Sequence, residues 1–443
     1  MQEFDKTMES EDRLRVGFVI DNIPDRAIIS KDAILSRDSY TDRWLLALSR
    51  VGVEATKYVP YREARRTETY EHKFGHKVKL IPVTHPLTPH WLLSRGSAPT
   101  KGPLALFTQR AEMLGFSMNL RKELASDRVH IAHYMSYFSS SFLFSPIAAG
   151  RAQTITWWTG GDVPRGMLKW VWFFTLGPAL SRAKGILIGD YPMRRSTLAW
   201  LLRGDRTKIH DFELIRVDQN LFRPLDRVEA RKRLGLDQDS TEILSVISLI
   251  PPPTDDPNER QPYLMLRAFK SALLTLKNPS VFLTIVGLGK GLETLKALAR
   301  DLGIDGRVRF VGRVEHDELP WHYGAADLVF VPYFMEKLNE TNVLAESFSC
   351  KRMVVGFRRT EAASFSQPGG FLVNPRPEKA GVELSEILDQ PRAMAVKSEE
   401  AYSRRGGFSV LNAGNELLSA YGEVLREQRL QGTGRRSTRG TAT

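Results

Sequence analysis

The sequence has 443 residues, of which 42% are hydrophobic and 26% charged. This length predicts two or three domains, and this composition indicates a soluble globular protein. Cys350 is the single cysteine, which excludes an intrachain disulfide and favours a reducing compartment. No apolar run reaches the roughly 18 residues that a membrane span needs, and the charged residues 1–12 do not resemble a secretory leader. We therefore expect a cytoplasmic protein, with peripheral attachment to the inner face of the cell membrane as an alternative.

The formal net charge is +12, and the excess of Lys and Arg lies mainly in residues 1–222 and in the tail after Leu425. A basic surface of this kind predicts an anionic partner such as an acidic lipid surface, a lipid-linked phosphate or nucleic acid. Nucleic acid is not expected, because no recognisable nucleic-acid-binding module accompanies the charge. A generally basic proteome would give the same balance without any anionic partner.

The first half of the chain predicts a parallel α/β domain. Leu14–Ile20 is a short apolar run bounded by Asp21 and Pro24, which is typical of a buried strand. The other predicted elements of this half are strands at Glu54–Val59, Val78–Val83, Val129–His133, Thr154–Trp158 and Ile186–Ile188, and helices at Thr41–Arg50 and Arg194–Leu202.

The second half opens after Phe222-Arg223-Pro224 and alternates strands with helices, which predicts parallel sheets with helices on both faces. Residues 393–429 favour helix with a break at Gly406-Gly407, and residues 430–443, like residues 1–12, are expected to be disordered. The predicted strands of this half are Glu242–Leu249, Val281–Val286, Val308–Val311 and Leu328–Pro332, and its helices are Asp226–Leu234, Tyr263–Leu276, Leu292–Leu302 and Glu318–Tyr323.

The segment Val329–Gly356 predicts a buried strand, a polar turn, a helix that begins near Asn342 and a second buried strand. A helix N-terminus carries unpaired N–H groups and a partial positive charge, which suit an anion such as a diphosphate. The segment also carries Glu336, Glu340 and Glu346, and a carboxylate within the helix could hold sugar hydroxyls. An ordinary βαβ unit with a solvated acidic turn would give the same pattern.

Residues 284–333 contain a strand, a glycine turn, a helix and a V-x-F-x-G-x-V strand, followed by A-A-D-x-x-x-x-P. With NVLAESFSCKRMVVG (342–356) and PGGFLV (368–373), this order resembles the retaining glycosyltransferases of the "glycosyl transferases group 1" family. The resemblance implies the α/β GT-B fold, in which two Rossmann-like domains face a central cleft. The implied parts of the chain are an N-terminal acceptor domain (13–222), a nucleotide-sugar donor domain (223–392) and C-terminal helices that cross back to the N-domain (393–429).

The resemblance also assigns donor-binding roles in the second domain. Glu346 would bind the ribose hydroxyls and Arg260 would clamp phosphate with its guanidinium. The remaining implied donor residues are the glycines of the strand-to-helix turn, the residues at the helix start and one acidic turn residue: Gly287, Gly289, Thr341, Asn342, Val343 and Glu340.

Two positions depart from the family pattern. Ser248 stands where the family has an Arg that binds the donor diphosphate, and Leu338 stands where it has the first carboxylate of a Glu pair. Glu336 and Glu340 flank Leu338 and could replace that carboxylate by a rearrangement of the turn, although solvent-exposed turn residues are the commoner outcome for such carboxylates.

In the first domain, T-G-G-D-V-P-R resembles a cleft-facing turn and contains Gly160, Gly161, Asp162 and Arg165. We predict Asp162 and His133 as catalytic residues, since His133 lies at a strand end where open α/β sheets bind ligands. The alternatives are that Asp162 caps the following helix and that His133 is structural. No metal site is expected, because no D-x-D motif lies at a strand end. No cofactor is expected either, since the implied nucleoside-diphosphate sugar is a substrate.

The predicted function is transfer of a sugar, with retention, from a nucleoside-diphosphate sugar to a glycan or lipid-linked acceptor in cell-envelope polysaccharide or glycolipid synthesis. Cations and helix dipoles would neutralise the departing diphosphate. The competing hypothesis is a GT-B-like partner or scaffold protein that has lost catalysis, which the changes at Ser248 and Leu338 favour.

Overall fold

The computed structural model divides into two compact units, unit 1 with Met1–Leu214 and Val410–Thr443, and unit 2 with Ile215–Ser409. The two predicted limits, after 222 and after 392, differ from these because residues 216–222 pair with a 3-10 helix at Arg405–Phe408. Val217 N–H, for example, donates to the Phe408 carbonyl over 2.8 Å. The described residues are 13–20, 31–36, 40–86, 103–135, 140–158, 178–188, 202, 207–212, 216–250, 261–278, 280–335, 338, 341–360 and 362–437.

Unit 1 contains an eight-stranded sheet. Its strands are β1 (Arg15–Val19), β2 (Glu54–Tyr61), β3 (Glu68–Glu71), β4 (Lys77–Pro82), β5 (Ile131–Tyr134), β6 (Gln153–Trp158), β7 (Gly185–Ile188) and β8 (Ile209–Asp211). The order is β3-β4-β2-β1-β5-β6-β7-β8, and every pair is parallel except β3 with β4. The apolar runs found in the sequence supply the inner strands, which are buried on both faces.

The helices of unit 1 cover this sheet. They are α1 (Lys31–Ser36), α2 (Tyr40–Arg50), α3 (Pro103–Ser126), α4 (Ser140–Leu143), α5 (Ser145–Ala148) and the C-terminal α13 (Val410–Ser437). The predicted strands and α2 are confirmed in outline, whereas β3, β8, α1, α3, α4 and α5 were missed. The predicted helix Arg194–Leu202 lies, except for Leu202, outside the described residues. α13 extends as far as Ser437, into the segment 430–443 that was expected to be disordered.

Unit 2 contains a seven-stranded sheet of order β11-β10-β9-β12-β13-β15-β14, in which only β14 is antiparallel. Its strands are β9 (Thr241–Val246), β10 (Val281–Val286), β11 (Val308–Gly312), β12 (Leu328–Met335), β13 (Val354–Arg358), β14 (Ser366–Gln367) and β15 (Gly370–Val373). Its helices are α6 (Arg227–Leu234), α7 (Pro262–Leu273), α8 (Leu292–Asp301), α9 (Leu319–Ala325), α10 (Asn342–Ser349), α11 (Pro377–Leu388) and α12 (Pro391–Arg404). Two hydrophobic clusters, one on each side, bury this sheet. These parallel-dominated sheets confirm the predicted α/β class.

A buried ion pair fixes the amino edge of the unit 2 sheet. Asp327, just before β12, accepts from Arg231 (2.8 Å), from Arg227 (3.1 Å) and from the Glu242 N–H (2.7 Å). The Arg231 side chain is fully buried and also donates to the carbonyls of Ala325 and Ser240. Asp327, the acid of the A-A-D motif, is therefore a structural residue that joins α6 to β9 and β12.

The C-terminal helix α13 packs on the unit 1 sheet through small residues and one buried hydrogen bond. A Cβ on Gly414 would lie 2.4 Å from the Ala47 carbonyl of α2, so glycine permits the two helices to approach closely. Tyr421 of α13 places its hydroxyl 2.7 Å from Nδ1 of His133, and both side chains are fully buried. Among the described residues, no helix is both long enough and apolar enough to cross a membrane.

Replacing Asp327 with Ala should destabilise unit 2 by about 3–5 kcal/mol, because the change leaves the buried Arg231 guanidinium without its counter-charge. Amide hydrogen exchange in β9 and β12 measures this loss, since the chain has two units and global unfolding need not be two-state. Glu293→Ala is the control, because Glu293 is 78% exposed in an i,i+3 pair and should change stability by less than about 0.5 kcal/mol. Equal protection in both variants would contradict the assignment.

Acid should destabilise unit 1 through His133. Burial lowers the pKa of His133 from 6.5 to about 3, so between these values the unfolded chain binds a proton that the folded chain does not. The free energy of unfolding should therefore fall as pH drops below 6.5, by up to about 1.4 kcal/mol per pH unit. Comparing the wild type with His133→Gln from pH 6.5 to 5, by exchange in β5, isolates this effect. The same pH slope in both proteins would refute it.

Candidate functional site

The carboxyl edge of the unit 2 sheet is built by the chain segments that follow the neighbouring strands β10, β9 and β12. Gly287 has a φ of +145°, and a Cβ there would lie 1.9 Å from the Ile247 carbonyl oxygen. A Cβ on Gly289 would lie 1.8 Å from the Leu249 carbonyl oxygen. Both glycines are therefore required by close backbone approach, whatever they bind.

This approach extends the pairing of β9 and β10 beyond the strands. Ile247 N–H donates to Val286 over 2.9 Å, and Leu249 N–H donates to Leu288 over 3.0 Å. Ile247 and Leu249 are buried, whereas the intervening Ser248 is exposed. The position where the family carries its diphosphate-binding Arg thus faces solvent at this edge, and a short hydroxyl occupies it.

Helix α10 begins at the same edge, after β12. Thr341 is its N-cap, with an extended backbone and a side-chain oxygen that accepts from the Leu344 N–H over 3.2 Å. Asn342 and Val343 form the first turn, whose N–H groups have no acceptors within the helix. The predicted helix start is confirmed, and the positive end of its dipole lies at the carboxyl edge.

Glu346 lies one turn into α10 and is 5% exposed. Tyr323, a fully buried residue of α9, donates its hydroxyl to Glu346 Oε2 over 2.8 Å and fixes the orientation of the carboxylate. Cys350 follows one turn later, and burial, with the Glu346 carboxylate nearby, raises the pKa of its thiol. The thiol therefore stays protonated and is a packing residue, as its sequence position indicates.

Leu338 is 1% exposed and belongs to the hydrophobic cluster that contains Leu344, Phe348 and Leu372. A Cβ on Gly370 would lie 2.9 Å from Leu338 Cδ1, so the leucine is packed tightly against the β15 backbone. A glutamate at this position would bury its charge in an apolar core. Leu338, which departs from the family motif, is thus a core residue. A local change of its rotamer would not turn it towards a ligand.

The structure brings six predicted donor residues to one edge of one sheet: Gly287, Gly289, Thr341, Asn342, Val343 and Glu346. Other predicted site residues lie outside the described residues, and their roles stay predictions: Gly160, Gly161, Asp162, Arg165, Arg260 and Glu340. Sequence reasoning missed Tyr323, because its bond to Glu346 joins two helices that only the fold brings together.

His133 lies near the end of β5, as predicted, but its imidazole is enclosed by Phe18, Trp44 and Tyr421. It is fully buried, and its Nδ1 pairs with the Tyr421 hydroxyl. Nε2 has no hydrogen-bond partner among the described residues. The packing thus favours the structural alternative for His133, since an enclosed neutral imidazole does not reach a substrate in this conformation.

One buried group in unit 1, Asp42, His72 and His76, has the composition of a metal site. However, Lys57 Nζ lies 2.6 Å from Asp42 Oδ1 and already neutralises the carboxylate. Nδ1 of His72 accepts the Phe74 N–H over 3.2 Å, so its proton resides on Nε2, the atom that faces Asp42. That nitrogen has no lone pair for a metal ion. The hydrogen bonding identifies a buried charge cluster that joins α2, β2 and the β3–β4 hairpin.

Part of the chain is similar in sequence to known proteins. Residues 254–390 match the family model described as glycosyl transferases group 1. A D-inositol 3-phosphate glycosyltransferase of Mycobacteroides abscessus is 30% identical over 219 residues, which cover 48% of this chain and 46% of that protein. The protein of the same name from Frankia alni is 33% identical over 224 residues, covering 47% and 52%. The chain thus spans about half the length of these curated relatives.

Solved structures match over nearly the whole chain. Sucrose-phosphate synthase from Thermosynechococcus elongatus has a TM-score of 0.64 at 15% identity, covering 94% of this chain and 100% of that chain. Anabaena Alr3699/HepE in complex with UDP has a TM-score of 0.61 at 14% identity, covering 93% and 100%. WaaG, a glycosyltransferase involved in lipopolysaccharide biosynthesis, has a TM-score of 0.56 at 14% identity, covering 91% and 98%. Residues 254–390 are therefore similar in sequence to the glycosyl transferases group 1 family, and the chain as a whole has the predicted GT-B fold.

Proposed function

We propose that this protein transfers a sugar, with retention, from a nucleoside-diphosphate sugar to a glycan or lipid-linked acceptor in cell-envelope polysaccharide or glycolipid synthesis. The observation that carries the proposal is helix α10, which begins at the carboxyl edge of the sheet and carries the fixed, nearly buried carboxylate of Glu346. A helix start for the diphosphate and a carboxylate for the ribose are the two parts that a nucleotide-sugar requires.

In this proposal the diphosphate binds at the first turn of α10, near Thr341, Asn342 and Val343. The helix dipole and the backbone N–H groups favour negative charge at this point. Arg260 supplies the cation that Ser248 does not, since a guanidinium can bind phosphate with two parallel hydrogen bonds. Glu340, which precedes Thr341 in the sequence, is proposed to contact the donor as well.

Glu346 would accept hydrogen bonds from the ribose hydroxyls. Its carboxylate is held by Tyr323 before any ligand arrives, so little side-chain entropy remains to be lost on binding. At the end of β10, Leu288 is 51% exposed, and Val311 of the neighbouring β11 is 44% exposed. These two apolar side chains would provide a surface for the nucleobase, in keeping with the UDP bound by a structural neighbour.

The reaction would break the bond between the anomeric carbon and the diphosphate oxygen and form a bond to the acceptor oxygen on the same face of the sugar. The proton of the acceptor hydroxyl would pass to the departing diphosphate. Positioning of the two substrates and stabilisation of the departing diphosphate would supply most of the rate enhancement. We propose that neither a metal ion nor a cofactor takes part, because the helix start and Arg260 neutralise the leaving group. Asp162 remains the proposed catalytic residue, with Gly160, Gly161 and Arg165 lining the acceptor side.

The acceptor is proposed to bind the more basic first half of the chain. A lipid-linked phosphate or an anionic membrane surface matches this charge, which suggests a cytoplasmic protein that associates peripherally with the membrane. Because the curated relatives are named D-inositol 3-phosphate glycosyltransferases, an inositol phosphate is a second acceptor chemistry to test.

A catalytically inactive partner or scaffold protein is the second candidate function. The observation that favours it is Leu338, which fills core space where the family motif places a carboxylate. Loss of that carboxylate would remove one contact to the donor, and the exposed Ser248 would remove another. Binding and transfer therefore have to be measured separately.

A panel of nucleoside-diphosphate sugars should identify one donor that raises the melting temperature of the protein. At a ligand concentration 100 times Kd the stabilisation is about 2.7 kcal/mol, which is readily seen in a thermal scan. Transfer is then measured with this donor and with glycan, lipid-linked and inositol phosphate acceptors. Binding without transfer would favour the scaffold protein, and no shift at millimolar concentration with any donor would refute both the donor site and the enzyme.

Glu346→Gln should weaken donor binding by about tenfold or more, because a neutral amide cannot form the charge-assisted bonds to ribose. Tyr323→Phe should weaken it less, since it only frees the carboxylate to rotate. Isothermal titration with the donor identified above measures both. Glu293→Gln, an exposed change on α8, is the matched control and should bind like the wild type. If Glu346→Gln bound the donor with wild-type affinity, the assignment of the ribose site would be wrong.

A further inference from the structure

A polar site separate from the proposed donor site lies in unit 1, at the amino ends of the strands of its sheet. A cavity of about 420 Å³ opens there, between the amino ends of β1, β2 and β4 and the turn that follows α3. Its charged lining is Arg15, Lys77, Lys79, Arg128, Glu54 and Asp127, and its hydroxyls come from Thr56, Thr69 and Ser126.

The charges of this cavity do not balance. Its lining has four cations and two carboxylates, and with Glu123, which lies outside the lining and pairs with Lys79, one positive charge remains in excess. Glu54 is shared by Arg15 (3.5 Å) and Lys77 (3.2 Å), so one carboxylate serves two cations. Like charges confined in a small volume raise the free energy of the empty protein, and an anionic ligand would relieve this repulsion.

Arg128 is held in a backbone conformation that its side chain does not favour. It has a φ of +51°, at the point where α3 ends and the Val129 N–H turns back to the Leu124 carbonyl. Glycine is the usual residue at such a helix end, because only glycine adopts this φ without steric cost. The chain nevertheless places an exposed guanidinium there, on the wall of the cavity.

The carboxylate half of the cavity is fixed in position. Asp127 accepts from the Tyr58 hydroxyl over 2.6 Å and from Lys79 over 2.7 Å, and Lys79 also pairs with Glu123. Lys79 is only 13% exposed, so this cluster of paired side chains is a structural part of unit 1. A fixed carboxylate and hydroxyls beside exposed cations can bind the two ends of a molecule that carries both hydroxyl groups and a phosphate.

We propose that this cavity binds a small phosphorylated polyol, with Arg128 and Lys77 on the phosphate and with Glu54, Asp127 and the threonine hydroxyls on the hydroxyl groups. The volume exceeds that of a single sugar phosphate, so such a ligand would fit with some water. The site does not depend on the proposed transfer reaction, and it is tested by binding rather than by turnover.

The test is isothermal titration of the full chain with glucose 6-phosphate, with inorganic phosphate and with glucose. We expect glucose 6-phosphate to bind, phosphate to bind at least tenfold more weakly and glucose not to bind detectably. Arg128→Gly should weaken glucose 6-phosphate binding at least tenfold and leave the melting temperature unchanged or higher, because glycine adopts the φ of +51° freely. Lys77→Gln should also weaken binding.

Lys122→Gln is the matched control, since Lys122 is an exposed cation of α3 that does not line the cavity. Its affinity should stay within twofold of the wild type. Three results would overturn the proposal: no heat with millimolar glucose 6-phosphate, equal affinity for inorganic phosphate, or binding that Arg128→Gly leaves unchanged. The last result would locate the ligand elsewhere on the protein.

Discussion

The carboxyl edge of the unit 2 sheet depends on one constraint, which is that positions 287 and 289 must be glycine, a residue without a Cβ. Any Cβ at either position would collide with a carbonyl oxygen of the segment after β9 at less than 2 Å. Because neither glycine has a Cβ, the chains that follow β9 and β10 continue to pair as far as Leu249 and Leu288. This pairing buries Ile247 and Leu249 and turns Ser248 outward. The shape of the proposed donor edge thus follows from backbone contact, before any functional side chain is considered.

The two edges of the same sheet are stabilised in different ways. At the amino edge, buried charges are fully paired: Asp327 binds Arg231, and Glu242 binds Arg309 over 2.7 Å. Such pairs resist rearrangement, because separating them would leave a charge in the interior. The carboxyl edge has the helix start of α10 and the single carboxylate of Glu346, which Tyr323 holds from behind. A rigid amino edge and a preorganised carboxyl edge suit a site that must hold its ligand in one position.

Much of this fold could be predicted from the sequence, because buried parallel strands are short apolar runs between turn residues. Val281–Val286 was predicted with its observed limits, and the start of α10 at Asn342 followed from the change from strand to helix pattern. The helix α3 was missed, since apolar and polar residues are spread around it and leave no clear amphipathic stripe.

The site was harder to predict than the fold, for a physical reason. Alignment with a family motif gives the position of Leu338 along the chain, but only packing against Gly370 decides that its side chain turns into the core. His133 lies at the expected strand end, yet Tyr421, far along the sequence, covers it. The bond between Tyr323 and Glu346 likewise joins α9 to α10. In each case a tertiary contact determines what the side chain faces, and the local sequence does not reveal that contact.

The two departures from the family motif offset one another in charge. Replacing the motif's arginine by Ser248 removes one positive charge, and replacing its first glutamate by Leu338 removes one negative charge. The net charge around a bound diphosphate would therefore stay the same, while the helix start of α10 and Glu346 remain in place. Burying Leu338 also stabilises unit 2 by roughly 1.5–3 kcal/mol, the usual range for a leucine side chain. The proposed donor site would therefore differ from the family pattern in which groups contact the donor, and not in its net charge.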